Sequence, residues 1–332
     1  MRGLVTWLTS AWLLLGGAAC TPQGGEKAAT IGSGTASTQA ADRALPAPPG
    51  AAPGPTQKPL DPAKPLRIGV TLHPYYSWTK NIVGDAPGVE VRAILPGEVD
   101  AGNYQPRPED IKKLADLDAI VVNGIGHDDF IAGMITASGN TGLVVIRPNE
   151  QTPLLKSAHG GAVNSHTFIS FTNAAQQTYA IERALDGLRP DLAPRFRDAA
   201  GKYAARLRAI KKEALDRMAS AKIKRVVTVH DGYGYLCQEF GVEVAGVVEP
   251  AHGLVPSAVE LGDMVDLIKR EKIGVVLSEE TFPDKLLKVL GDETHVRVSI
   301  ITHIASGAYT ADKFEKEMAK NADTLVKALT PP

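Results

Sequence analysis

The chain has little of what marks several common classes of protein. Its 332 residues include two cysteines, Cys20 and Cys237, which leaves almost no scope for a disulfide framework. Charge of one sign is also missing: 36 basic side chains stand against 37 acidic ones. No global field draws such a chain to nucleic acid or to an anionic membrane, so any partner is recognised locally. No HExxH motif, nucleophile elbow or paired-carboxylate arrangement is present, which argues against an enzyme.

What is there begins with an export signal. Arg2 supplies the positive region, Leu4 to Leu15 an apolar stretch broken by Thr6, Thr9 and Ser10, and Gly16 to Ala19 a small-residue cleavage zone. That stretch is too short for a stable membrane span, so residues 1–19 are expected to be removed as a signal peptide. Cys20 follows directly, at the position of a lipoprotein cysteine, although Gly17 stands where a lipobox has Leu. The expectation is an exported, periplasmic or cell-envelope protein, lipid-anchored at Cys20, with ordinary cleavage after Ala19 as the alternative. Residues 20–65 are rich in Gly, Ala, Ser, Thr and then Pro, with few large apolar side chains to order them, and are expected to be a disordered tether.

From Leu66 the pattern changes. LRIGVTL, VEVRAIL, DAIVVNGIG and LVVIRP alternate with amphipathic stretches such as PEDIKKLADL. A second series follows from about residue 222: KRVVTVH, VEVAGVV, IGVVLSE and HVRVSIITH. Such alternation predicts an α/β fold of two lobes, 66–172 and 222–332, each with a mainly parallel four-stranded sheet flanked by helices. Between them, 173–221 is a linking helical segment. In its Arg195 to Ala221 part, Phe196, Ala200, Tyr203, Leu207, Ile210, Ala214 and Met218 recur at three- and four-residue steps. This predicts one long rigid helix of ~40 Å joining the lobes.

Four of the eight histidines fall at or beyond strand carboxyl ends, where open α/β sheets bind ligands: His73, His166, His230 and His303. Their placement repeats between the lobes, so facing lobes would bring both pairs to one cleft. Four imidazoles suit Zn²⁺, with its tetrahedral preference, ahead of Mn²⁺ or Mg²⁺. Taken singly, each of these histidines also has the plainer role of hydrogen-bonding a nearby carbonyl. His127, in NGIGHDDF, is the competing ligand, whereas His159, His252 and His295 read as surface or structural residues.

From Leu66 to the end the sequence resembles the zinc- and manganese-binding solute-binding proteins of bacterial ABC importers, the ZnuA/TroA-like family of cluster A-I type. The resemblance rests on ILPGEVDAGNYQPRPEDIKKLADLDAIVVNG, NSHTFISFTNA, VTVHDGYGYLCQEFG and ITHIASG, and on the helical connection between Phe171 and Ala221. It implies a Zn²⁺ receptor, not an enzyme, that works as a monomer and hands its ion to a permease and the permease's ATPase. His166 and His230 match ligand positions of zinc-binding members, and His303 stands where the family usually has Asp. Gly102 stands where the family's first histidine is expected, so that ligand is missing and His73 is the proposed replacement. Glu279, beside Glu280, matches a family glutamate, and Glu279, Asp231 and Asp128 are candidate acceptors for the outer nitrogens of bound imidazoles, with helix capping or solvation as the alternative. Other cargoes, Mn, Cu, Ni or Co, stay open, as does an exported zinc hydrolase using only His166, His230 and His303 with water in the fourth position.

Overall fold

The computed structural model describes residues 58–158, 160 and 163–330; the expected signal peptide, Cys20, most of the tether and His159 lie outside the described residues. The first sheet has β1 (Leu66–Val70), β2 (Val89–Ala93), β3 (Ala119–Val121) and β4 (Val144–Ile146), all parallel, in the order β2-β1-β3-β4. The second has β5 (Arg225–Thr228), β6 (Glu243–Val247), β7 (Val275–Ser278) and β8 (Arg297–Ile300), parallel in the matching order β6-β5-β7-β8. The central strands are almost wholly buried runs such as LRIGV, AIV and VVLS, as expected of strands covered on both faces. The edge strands β2, β6 and β8 are more open.

In the first lobe α1 (His73–Val83), α2 (Pro108–Lys112) and α3 (Phe130–Ser138) connect the strands. The link between lobes is a helical hairpin, α4 (Phe171–Leu188) and α5 (Ala193–Arg217), with Ser170 capping α4 through the Asn173 amide. Pro190 lies in the break between them. The predicted long helix is therefore α5, 25 residues or ~37 Å, and the linking segment adds a second helix packed along it. The second lobe carries α6 (Gly234–Glu239), α7 (Ala258–Glu271), α8 (Asp284–Thr294) and α9 (Lys313–Leu329).

One continuous core runs from β1 and α1 through Phe196, Tyr203 and Leu207 of α5 to Phe314 and Met318 of α9. A smaller core lies under α7 and α8. Because α9 packs on α1 and α5 as well as on β8, the two lobes are joined by more than the connecting hairpin. The end of the expected tether is also part of the body: Leu60 packs on the core and its amide donates to the Leu188 carbonyl at 2.9 Å. Cys237 is buried and has no disulfide partner among the described residues.

Candidate metal centre

Parallel strands deliver the loops that follow them to one side of each sheet, and the two sets of loops face each other. After β1 and β5 come His73 and His230; after β2 and β6, Asp100 and His252; after β3 and β7, His127 and Glu279; after β4 and β8, His166 and His303. Five imidazoles converge. Ring centroids are 4.6 Å apart for His166 and His230, 4.6 Å for His230 and His252, 4.8 Å for His127 and His166, and 5.2 Å for His230 and His303. Nitrogens of His166, His230 and His252 all lie within 4.8 Å of one another, a spacing that a single metal ion can bridge.

The outer nitrogens of three rings are already committed. His166 Nδ1 donates to Asn164 Oδ1 (3.1 Å), His230 Nδ1 to Glu249 Oε2 (2.9 Å) and His303 Nδ1 to Glu279 Oε2 (2.8 Å). Each partnership leaves Nε2 facing inward, the orientation that oxygen acceptors impose on metal-binding imidazoles. His166 Nε2 and His230 Nε2 then stand 2.9 Å apart, and His230 Nε2 and His252 Nδ1 3.2 Å apart. Two imidazole lone pairs at that distance repel unless a proton or a cation lies between them. Asp100 completes the group: one oxygen lies 2.9 Å from His252 Nε2 and 3.1 Å from His303 Nε2, the other 3.5 Å from His127 Nε2.

Local structure sets these positions. Asp128 accepts hydrogen bonds from Thr71 Oγ1 and from the Asn123 and Gly124 amides, fixing the turn that carries His127. His303 is held by Asn321 of α9, which pairs with both the Thr302 amide and carbonyl. The next residue, Ile304, has φ 63°, a left-handed conformation that is costly for a β-branched side chain; its side chain is fully buried, which holds it there.

Charge is uneven across the cluster. Burial keeps His127 and His166 below the usual imidazole pKa, hence neutral. Burial also opposes charge on His303, but the carboxylates of Asp100 and Glu279 outweigh it and push its pKa up to about 10. Asp100 is likewise desolvated, yet hydrogen bonds from His127, His252 and His303 hold it below the usual carboxylate range.

The structure thus brings His166, His230, His303 and the competitor His127 together, with Glu279 bonded to the outer nitrogen of His303. His73 does not join them. Its Nε2 donates to the Gly97 carbonyl at 3.0 Å, and its ring stacks on Tyr309 with centroids 3.8 Å apart. The imidazole belongs to a seam between α1 and the segment after His303, where Ser77 Oγ also donates to the Thr310 carbonyl. Burial lowers its pKa to about 4. Asp128 and Asp231 are not acceptors for the imidazoles either: Asp128 serves its own turn, and Asp231 accepts from Ser157 Oγ and the Ala158 amide. Sequence reading missed His252, Asp100, Glu249 and Asn164. His252 and Asp100 were within reach of the strand-end rule, since they follow β6 and β2. The residue that fills the place beside Gly102 is His252, from the other lobe.

Replacing His73 with Ala is expected to lower stability by about 2 kcal/mol, through loss of the interlobe stack on Tyr309 and of the hydrogen bond to Gly97, in denaturant titration. Metal affinity should stay within about threefold. A loss of tenfold or more with stability unchanged would make His73 a ligand after all.

The profile of the ZnuA family, described as zinc-uptake complex component A, periplasmic, matches residues 68–328. The chain is similar to the solute-binding protein FpvC of Pseudomonas aeruginosa, solved in complex with Ni²⁺, at 43% identity over 80% of this chain and 97% of that one, TM-score 0.75. A structure of FpvC with Mn²⁺ matches at 43% over 80% and 98%, also with TM-score 0.75. Among curated sequences, a putative metal-binding protein of Treponema pallidum is 25% identical over 268 residues, 76% of this chain and 82% of that protein. The zinc-binding lipoprotein AdcA of Streptococcus pneumoniae is 22% identical over 254 residues, 73% of this chain, and the chain spans only 50% of its length. The family match runs through both lobes and the helices between them, and the chain therefore belongs to the ZnuA family of metal-binding solute-binding proteins.

Proposed function

We propose that this protein is the extracytoplasmic receptor of an ABC importer, that it captures a divalent transition-metal ion between its lobes, and that it delivers the ion to a permease and its ATPase. His166, His230 and His252 form the nucleus of the site, and His303, His127 and Asp100 supply the adjoining donors. The observation that carries this reading is the approach of the inward nitrogens of His166, His230 and His252, with two outer nitrogens already bonded to Asn164 and Glu249. Lipid attachment at Cys20, as in the relative named a lipoprotein, is part of the same reading.

The expectation of zinc rested on four donors. Five imidazoles and a carboxylate exceed four, and a right-angled pair of nitrogens at ~2.1 Å from an ion would be ~3.0 Å apart, against ~3.4 Å for a tetrahedral pair. The 2.9 Å spacing of His166 and His230 fits the former, and the 3.2 Å spacing of His230 and His252 lies midway between the two. Nitrogen-rich donors favour the later ions of the series. Together these support a six-coordinate cargo such as Ni²⁺ or Co²⁺ over tetrahedral Zn²⁺, in keeping with the Ni²⁺ complex of FpvC.

X-ray absorption of the nickel-loaded protein should show about six nitrogen or oxygen neighbours. Metal analysis of protein purified without added ions, followed by competition titration, identifies the cargo. Zinc displacing nickel by more than about a hundredfold, with four neighbours in the zinc shell, would return the site to a zinc receptor.

A further inference from the structure

The loop 100–103 of the first lobe and the loop 250–253 of the second meet glycine to side chain in both directions. A Cβ added at Gly102 would lie 2.6 Å from His252 Nε2, 2.9 Å from its Cδ2 and 3.2 Å from His127 Cε1. A Cβ added at Gly253 would lie 2.6 Å from Asn103 Nδ2. The backbone at Gly253 is left-handed, φ 69°, so glycine is favoured there on two grounds. Gly102 has no such φ; only the closeness of two rings calls for a bare position. The same turn aims Asp100: Oδ1 accepts from the Gly102 amide at 2.9 Å, which leaves Oδ2 facing His252 and His303.

We propose that Gly102 is the seat for His252, the position whose size determines whether the second lobe's imidazole reaches the metal. This rests on the receptor reading given above. A methyl group at 102 has no free direction, because His127 on its other side is itself buried. It must therefore push His252 outward and open the shell on the side from which the second lobe closes.

The test is calorimetric titration of Ni²⁺ into the wild type, G102A, H252A and the double variant G102A/H252A. G102A should weaken binding at least about tenfold, and should add nothing in the H252A background, where the obstructed ring is gone. If G102A lowers the metal-free Tm, H252A should restore it. Unchanged affinity in G102A, an equal loss in both backgrounds, or a lowered Tm that H252A does not restore each overturns the seat. Full affinity in H252A overturns it too, while leaving the receptor reading intact if H230A still loses binding. A wild type that binds none of Ni²⁺, Zn²⁺ and Mn²⁺ would instead overturn the receptor reading.

Discussion

Replacing His230 with Ala is expected to weaken metal binding by about a thousandfold, ~4 kcal/mol. His230 is the hub of the cluster: its Nε2 faces both His166 and His252, and its ring lies within 5.2 Å of His303. Removing it takes away a donor and leaves Glu249, otherwise bonded to Nδ1, without that partner. The Glu249→Gln variant separates the two contributions. It keeps the ring and weakens only the charge-assisted bond that orients it, so a loss of about ten- to a hundredfold is expected. Titration of the two variants with the same ion decides the point. Equal losses would mean that His230 acts only through Glu249, and no loss in H230A would remove it from the ligand set.

Metal affinity is expected to rise about tenfold per pH unit between pH 7 and about 10, with roughly one proton released per ion bound near neutrality. The sign follows from His303. A ligand imidazole must be neutral, whereas in the metal-free protein Asp100 and Glu279, overcoming burial, keep His303 protonated up to about 10. Raising the pH removes the proton that the ion has to displace, so binding tightens. His127 and His166, already neutral through burial, add no slope in that range. Titration in two buffers of different ionisation enthalpy counts the proton, and His303→Ala should flatten the profile. An affinity that levels off above pH 7 would show that His303 is neutral before the ion arrives. The same shift has an opposite consequence for the metal-free fold. Its stabilising contribution from His303 is fully present below about pH 6.5 and is lost as pH rises through about 10. For His73, lowered to about 4 by burial, stability is instead lost as pH falls from about 6.5 to 4.

The parts of this protein that depend on local pattern were legible in its residues. Strands such as LRIGV and VVLS are mostly apolar because both faces are covered, and the spacing of Phe196, Tyr203 and Leu207 marks the buried face of α5. From those elements alone, parallel strands in two series place His166, His230 and His303 at the facing ends of two sheets. The repeat in strand order between the lobes follows from the same alternation.

Which strand-end residues meet was decided only by the tertiary structure. His73 and His230 occupy matching places after β1 and β5, yet His230 turns to Glu249 and the cluster, while His73 turns to Gly97 and stacks on Tyr309, 236 positions away in the chain by simple difference of their numbers. His252 looked like a turn residue between Pro250 and Gly253, and it comes to face His230 because the second lobe's loop reaches over Gly102 of the first. The alternation of strands and helices is written in neighbouring residues, where the periods of the two structures can be read. The direction of an imidazole is set by what the opposite lobe offers it, a carboxylate, a carbonyl or a bare glycine, and that depends on how two packed cores come to face each other.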